Sequence, residues 1–190
     1  IDPINTGVHV YLALQELIAR ECPAISETAL TIGQFCAGSA SNVIPETAVL
    51  QGTMRSFDEK TMSHLIARLN EIVPSVAGAY RTKAEIEVIS DIPIVRCNEE
   101  LNQEIVEGLK ELEPELKAVC AYHVMGSEDF AYISQKIPAS YMCIGAGIED
   151  VSKRYVEHNP KVRFHESALV KGAAIYAGTA MRWLDLHGNQ

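Results

Sequence analysis

The chain has 190 residues, of which 47% are hydrophobic and 22% charged, a composition that is ordinary for globular proteins. Its formal net charge is −9 and its Lys and Arg residues are scattered, which argues against a nucleic-acid-binding or anionic-membrane surface. No apolar run approaches the roughly 20 residues that a membrane-spanning helix needs. We therefore expect no nucleic acid and no membrane among its partners.

The N-terminal part of the sequence has one helical pattern, which starts at residue 2, and then two strand patterns. Apolar side chains recur at three- and four-residue steps over residues 2–20, with Asp2 as a helix cap and Pro3 in the first turn. Short, apolar, partly β-branched segments then predict strands at 28–36 and 43–56. This order predicts one helix followed by two strands that a loop of small residues joins.

A second helix and a third strand complete the N-terminal pattern. Ser56–Glu59 matches a capping box, and an apolar stripe follows it to Val76. Strict alternation of apolar and charged residues predicts a half-buried strand at 84–90. The order helix, strand, strand, helix, strand lacks one leading strand of a ferredoxin-like split βαβ fold.

The pattern changes after DIPIVRCN (91–98), a connector that contains proline. Helices and strands now alternate, which is typical of an α/β layer. The predicted elements are helix 99–112, strand 116–121, helix 127–136, strand 140–146 and helix 166–186. We place a domain boundary near residue 92, so that residues 1–91 and 92–190 form two domains of an α/β (α+β) protein.

The cysteines indicate a reducing environment. They are odd in number, widely spaced and without a CxxC pair: Cys22, Cys36, Cys97, Cys120 and Cys143. This usage favours free thiols over a disulfide framework or a zinc knuckle, and we expect a cytoplasmic protein. The opening at Ile1 shows no signal-peptide pattern, and we expect a piece of a longer protein.

His158 is the first candidate functional residue. It stands in EHNPKVRF (157–164), a turn-like segment before the last predicted helix, where α/β proteins place functional groups. A turn needs the Asn and the Pro but not the His. One imidazole does not hold a metal, because zinc sites use three or four protein ligands. His165 and His123 are further imidazoles, and the pattern alone leaves the role of His158 open.

Two other groups have a structural and a functional interpretation. Ser127 followed by Glu128 and Asp129 is a good start for a helix, although one of the two acids could also face a cleft. Asn42 ends the small-residue loop AGSASN (37–42), where a backbone can approach a ligand closely. Arg55, on the following strand, either lies on a solvated sheet face or forms a bidentate contact with a carboxylate.

Three segments in this order and spacing closely resemble the amidohydrolase branch of the aminoacylase and carboxypeptidase metallopeptidases. That branch includes hippurate hydrolase, N-acyl-amino-acid amidohydrolases and plant auxin-conjugate hydrolases. The segments are SASNVIPETAVLQGTMRSF (39–57), MGSEDFAYIS (125–134) and EHNPKVRFHESALVKGA (157–173). The resemblance extends over nearly the whole chain.

The resemblance implies a ferredoxin-like lid, which is also the dimerisation domain, inserted into an α/β catalytic domain. Residues 1–91 would be the lid without its first strand, and residues 92–190 the C-terminal part of the catalytic domain. A homodimer through residues 1–91 is implied as well. The remaining metal ligands, the general-base glutamate and a lid histidine would precede Ile1, so we expect this chain alone to be inactive and to hold no metal tightly.

The resemblance also assigns roles to single residues. His158 matches the His of the His-x-Pro motif and would bind one of two divalent ions, Zn or Mn. Asn42 and Arg55 match lid residues that bind the substrate, an N-acyl amino acid whose amide bond is hydrolysed to a carboxylic acid and a free amino acid. His165 departs from the pattern, because relatives commonly carry Asp or Asn there. Two alternatives are a catalytically inactive dimerisation or regulatory module and a dipeptidase or carboxypeptidase of the same superfamily.

Overall fold

The computed structural model describes residues 1–119 and 123–188. Within these ranges it contains five α-helices and one two-stranded sheet. Their order is α1 (Pro3–Glu16), β1 (Thr28–Ala37), β2 (Ala48–Ser56), α2 (Glu59–Ala79), α3 (Glu99–Leu112), α4 (Ala131–Ser134) and α5 (Ser167–His187). A π-helical turn, Leu17–Glu21, continues α1, and a 3-10 turn spans Val151–Lys153. None of the described helices is long and apolar enough to cross a membrane.

The chain divides into two compact units. The N-terminal unit contains Ile1–Ile94 and a short return segment, Val124–Asp129. The C-terminal unit contains Val95–His123 and Phe130–Gln190. The fold is therefore mixed α/β, with the sheet and two long helices in the first unit and the remaining helices in the second.

Helix α1 begins as its sequence predicts. The Asp2 carboxylate accepts hydrogen bonds from the backbone N–H groups of Ile4 and Asn5, at 2.9 and 3.2 Å. Pro3 occupies the first turn, where its missing N–H costs no intrahelical bond. Leu17–Glu21 then widens into a π-helical turn, which the apolar periodicity does not predict.

The hairpin is antiparallel, with Ala29 opposite Arg55 and Ala37 opposite Ala48. Gly33 is the extra residue of a β-bulge, because Ile32 and Gln34 pair with adjacent residues of β2. The prediction that the second strand starts at residue 43 is wrong by five residues. Residues 43–47 belong to the connecting loop, where a proline at position 45 cannot donate to a ladder.

Helices α1 and α2 cover one face of the hairpin. Leu17 and Leu65 are completely buried at the centre of this core. The other buried members are Val10, Leu14 and Val73, and the half-buried strand residues Leu30, Ile32, Leu50 and Met54 pack against them. On β2 the residues Val49, Gln51 and Thr53 are exposed, as expected for the uncovered face of the hairpin.

The predicted strand at 84–90 is wrong as a strand, and its predicted one-sided burial holds only as far as Ile86, because Val88 is 59% exposed. Ala84 and Ile86 pack against the core, whereas Lys83 and Glu85 are exposed. No described segment pairs with this one through a ladder. A strand exists only with a hydrogen-bonded neighbour, and alternation specifies the face of a segment but not its neighbour.

In the C-terminal unit, α3 and α5 pack together, and both helices were predicted to within one residue at each end. Gly178 permits the close approach, because a Cβ there would lie 2.6 Å from Leu112 Cδ1. Two ion pairs join α3 and the segment just after it to α5, Lys171–Glu113 at 2.7 Å and Arg182–Glu111 at 3.1 Å. In addition, His187 Nε2 lies 3.1 Å from a carboxylate oxygen of Glu104.

Three other predictions for this part of the chain are wrong. Helix 127–136 shrinks to the single turn α4, and Phe130 rather than Ser127 precedes its first residue. Segment 140–146 forms no ladder, and only an isolated bridge joins Gly147 to Phe164. Segment 116–121 is no strand over residues 116–119. Its last two residues, the first of which is Cys120, lie outside the described ranges. Sheet formation depends on distant partners, which short apolar runs do not specify.

An ion-pair cluster connects the π-helical turn to α2. Arg68 donates from Nε and Nη2 to the two carboxylate oxygens of Glu21, at 2.6 and 2.9 Å. Arg68 also binds Glu71, and His64 Nε2 lies 3.3 Å from Glu21 Oε2. The hydrogen bond from Arg68 holds the pKa of Glu21 below its ordinary value.

We expect the side chain of buried Leu65 to contribute far more to the free energy of unfolding than that of exposed Leu12. Leu65→Ala should lower the free energy of unfolding by about 2–5 kcal/mol, because it removes buried methyl groups and leaves a cavity. Leu12, on α1, is 55% exposed and is the matched control. Leu12→Ala should change the same quantity by only about 0.5 kcal/mol. Urea unfolding curves measure both, and equal losses would contradict the assigned core.

The Glu21–Arg68 pair predicts a pH-dependent stability. Because the folded pKa of Glu21 is lowered, this stabilisation is complete above the pKa in the unfolded chain and disappears as the pH falls through the folded pKa. Arg68→Gln should therefore reduce the drop in the urea midpoint between about pH 7 and about pH 3. Arg20→Gln, at an exposed position, should retain the wild-type drop. Identical profiles for the two variants would contradict the assignment.

Candidate functional site

His158 stands in a loop whose ends are joined. The isolated bridge between Gly147 and Phe164 closes residues 148–163 at the base. Inside the loop, the side-chain Oδ1 of Asn159 accepts a hydrogen bond from the Lys161 N–H at 2.9 Å. The backbone carbonyl of Asn159 accepts one from the Val162 N–H, also at 2.9 Å. The predicted Asn-Pro turn is therefore present, and His158 lies exposed immediately before it.

The backbone of His158 has a left-handed conformation, with φ of 66°. This region costs a residue with a Cβ about 1–2 kcal/mol, and such residues cluster at functional sites. The turn centred on Asn159 is the local structure that maintains it. A conformation of this kind is compatible with a functional role for His158, whereas a turn alone would be satisfied by asparagine or glycine at the same place.

The described residues do not make up a metal site by themselves. No group of three or more His, Cys, Asp or Glu side chains in residues 1–119 and 123–188 lies close enough together to hold an ion. A zinc site takes three or four protein ligands. His158 is thus a single candidate donor, and any metal site that uses it requires ligands from elsewhere.

Asn42 is located in the loop between the two strands. Gly38 starts this loop with φ of 70°, a value that glycine adopts without strain. Residues 38–44 are all exposed, including Val43 and Ile44 at 61% and 63%. The loop therefore carries the Asn42 amide on a protruding tip of small and apolar residues, as the sequence predicts.

Arg55 lies near the other end of β2 and is partly buried. Its Nη1 donates a hydrogen bond to the backbone carbonyl of Met125, in the segment that returns to the N-terminal unit. The guanidinium is therefore held by the protein. Arginine has five N–H donors, so a bond to Met125 is compatible with a second acceptor. The sequence contains no local sign of this contact, because the two residues are 70 positions apart.

The hairpin does not bring Asn42 and Arg55 together. Arg55 is seven residues beyond Ala48, where β2 begins, and this length of strand extends about 23 Å. Asn42 precedes Ala48 in the loop. One hairpin therefore presents the two candidate substrate-binding residues near its opposite ends.

The acidic pair after Ser127 has no helical role. Asp129 and Phe130 form a turn, and the helix starts only at Ala131. The favourable position of an acid in the first helical turn is therefore not used here. A role for Glu128 or Asp129 in a cleft stays a prediction.

Comparison with known proteins identifies the family of the chain. Residues 6–182 match the model of peptidase family M20/M25/M40. The chain belongs to this family. The match extends over most of the chain and confirms the resemblance that the three sequence segments carry.

Two relatives illustrate the range of this family. The IAA-amino acid hydrolase ILR1-like 2 of Arabidopsis thaliana is 31% identical over 189 residues, covering 97% of this chain and 42% of the relative. The N-acetyl-L-cysteine deacetylase of Bacillus subtilis is 29% identical over 185 residues, again covering 97% and 42%.

A solved member of the family has the same fold as the chain. The Bacillus subtilis YXEP protein, described as a dinuclear metal binding peptidase, superposes with a TM-score of 0.78 at 24% identity. The superposition covers 97% of this chain and 46% of that protein. The chain thus spans less than half the length of the relatives that it matches.

Proposed function

We propose that this chain is the C-terminal part of a metal-dependent amidohydrolase that hydrolyses N-acyl amino acids to a carboxylic acid and a free amino acid. The observation that carries the proposal is the family match over residues 6–182. It is accompanied by an exposed His158 whose backbone has a left-handed conformation. The names of the plant and bacterial relatives, which are hydrolases of acylated amino acids, support the same substrate class.

His158 is the proposed ligand that this chain contributes to a site for two divalent ions, zinc or manganese. The remaining ligands and the general base would come from residues outside this chain, since the described residues offer no complete site. The description of the YXEP protein as dinuclear supports two ions. Bound metals of this kind activate water and polarise the scissile carbonyl.

Arg55 and Asn42 are the proposed substrate-binding residues. The planar guanidinium of Arg55 matches the two oxygens of an α-carboxylate and would select acyl amino acids over plain amides. The Asn42 amide can donate to the oxygen that becomes negative when the substrate carbonyl is attacked. The partly buried position of Arg55 and the exposed loop around Asn42 support these separate roles.

Residues 1–91 are the proposed lid and dimerisation domain, with a ferredoxin-like fold that lacks one strand, and residues 92–190 belong to the catalytic domain. Residues 82–86 are half-buried on one side and pair with no described strand. This supports a fold in which a further strand, outside this chain, would lie beside them. A homodimer is supported by the hairpin, because a small substrate that requires both Asn42 and Arg55 could receive them from two copies. We place this enzyme in the cytoplasm, in keeping with its free thiols.

Two observations favour alternative functions. The single metal donor among the described residues is also what an inactive dimerisation or regulatory module would contain. The description of the YXEP protein as a peptidase favours a dipeptidase or carboxypeptidase. Metal content separates the first alternative from an enzyme, and the relative hydrolysis rates of acyl amino acids and dipeptides separate the second.

Removal of His158 tests the proposed metal role. In the longer protein that contains this chain, His158→Ala should reduce the bound metal from about two ions per chain to about one, because an ion that loses a ligand binds far more weakly. His64→Ala, at an exposed position in the N-terminal unit, should keep both ions. Metal analysis after gel filtration measures this. Two ions and full activity in His158→Ala would show that the assignment is wrong.

Removal of Arg55 tests the proposed carboxylate recognition. Charge-assisted hydrogen bonds are worth about 1.5–3 kcal/mol, so Arg55→Ala should lower kcat/KM for an N-acyl amino acid by about tenfold to a few hundredfold. The matching acyl amino amide, which has no carboxylate, should lose far less. Both substrates share any loss caused by release of Met125, so their ratio isolates the carboxylate contact.

Arg55→Lys is the matched control for this experiment. It retains a positive charge but lacks the planar fork, and we expect it to recover only part of the loss. Equal losses for the acid and the amide in Arg55→Ala would rule out recognition of the carboxylate by Arg55.

A further inference from the structure

Helices α1 and α2 cover only one face of the hairpin. The half-buried leucine, isoleucine and methionine residues of the two strands point to this covered face. Because successive side chains of a strand point to opposite faces, Arg55 and every second residue before it on β2 share the other face. We call that surface the open face. Its members on β2 are Arg55, Thr53, Gln51 and Val49, and their partners on β1 are Ala29, Thr31, Gln34 and Cys36.

The β-bulge at Gly33 determines which residues of β1 reach the open face. The extra residue shifts the alternation by one position, so that Gln34 rather than Gly33 stands opposite Gln51. On the other side of the bulge, Thr31 stands opposite Thr53. The open face therefore carries a pair of hydroxyl groups next to a pair of side-chain amides.

The hydroxyl pair of the open face is available to a ligand. Thr31 and Thr53 are exposed, and their side chains have no hydrogen-bond partner in the part of the chain that the structure describes. On the covered face, by contrast, the hydroxyls of Thr28 and Ser56 lie 3.3 Å apart and bond to each other. The two threonine hydroxyls of the open face can therefore bond to a third group.

Arg55 stands at the end of this row and is the only charged member of the open face. Its guanidinium bonds to the neutral carbonyl of Met125, which leaves its charge for an anion. Ala29, opposite Arg55, has only a methyl group and leaves space beside it. Along β2, Thr53 is about 7 Å away and Gln51 about 13 Å away. The threonine pair is therefore the first set of polar side chains that a molecule bound to Arg55 meets on this face.

We propose that Thr31 and Thr53 bind the side chain of the amino acid whose α-carboxylate contacts Arg55, and that they favour polar, uncharged side chains. The inference rests on the proposed carboxylate contact of Arg55. Each hydroxyl both donates and accepts, so the pair can satisfy an amide or a hydroxyl of the substrate. An apolar side chain of the same shape would displace water from the hydroxyls without replacing its hydrogen bonds.

The reach of a substrate side chain limits the proposal to the threonine pair. The polar atoms of an asparagine side chain are four bonds, or about 5 Å, from the carboxylate carbon. They can approach hydroxyl groups one strand repeat from Arg55, whereas the glutamine pair lies a further repeat away. Gln51 is therefore a matched control, since it lies on the same face and strand but beyond that reach.

Two substrates of nearly the same shape test the proposal in the longer protein that contains this chain. N-acetyl-asparagine and N-acetyl-leucine share the acyl group, the carboxylate and the branching of the side chain. The ratio of their kcat/KM values therefore cancels the contribution of Arg55 and any general loss of activity. Thr53→Val should lower the asparagine-to-leucine ratio by about three- to tenfold, as expected for the loss of one neutral hydrogen bond. Thr31→Val should have the same effect.

Two control variants separate the hydroxyl from the shape of the side chain and from the face as a whole. Valine has the shape of threonine and suits a strand, so the valine variants should fold. Thr53→Ser retains a hydroxyl and should retain the wild-type ratio. Gln51→Met, at the more distant position, should retain it as well.

Three results would overturn the proposal. The first is an unchanged ratio in both valine variants, and the second is an equal fall in Gln51→Met, which would indicate a general effect of the open face. The third is an equal fall in Thr53→Ser, which would exclude the hydroxyl. If the wild-type protein hydrolyses both substrates and one of these results is found, only this inference fails. If it hydrolyses neither substrate, the proposed function fails as well.

Discussion

The N-terminal unit depends on the burial of Leu17 and Leu65 between two helices and one face of a hairpin. A two-stranded hairpin alone is marginally stable in water, and it is stabilised here because α1 and α2 cover its apolar face. The one-sided cover also explains why the same strands display polar residues on the opposite face. Of the two candidate binding residues, Arg55 lies on this covered hairpin, whereas Asn42 lies on the exposed loop that joins its strands.

The hairpin separates the two candidate residues Asn42 and Arg55. The first is on an exposed loop tip and the second near the far end of β2, where it is attached to the Met125 carbonyl. The distance between them is a property of the strand length and not of side-chain conformation. The proposed homodimer, with the loop tip from one copy and the arginine from the other, would reconcile this separation with a single small substrate.

In the C-terminal unit, the loop of residues 148–163 carries the exposed side chain of His158. The loop with His158 is closed at its base by the bridge between Gly147 and Phe164 and turned by Asn159. These local interactions shape the segment in which His158 has its left-handed backbone conformation. This arrangement resembles the support that ligands need, because a side chain binds well only when its orientation is already fixed.

The sequence by itself determined the long helices, because caps and apolar periodicity are local: Asp2 begins α1, and α3 and α5 lie where their patterns predict. It also supplied the motif residues Asn42, Arg55 and His158 and the family to which they point. Only the tertiary structure decided which segments pair as strands, so that Ala84 and Ile86 pack on the core without a ladder among the described residues. Only it revealed the contact of Arg55 with Met125, because a hydrogen bond across 70 residues leaves no local pattern.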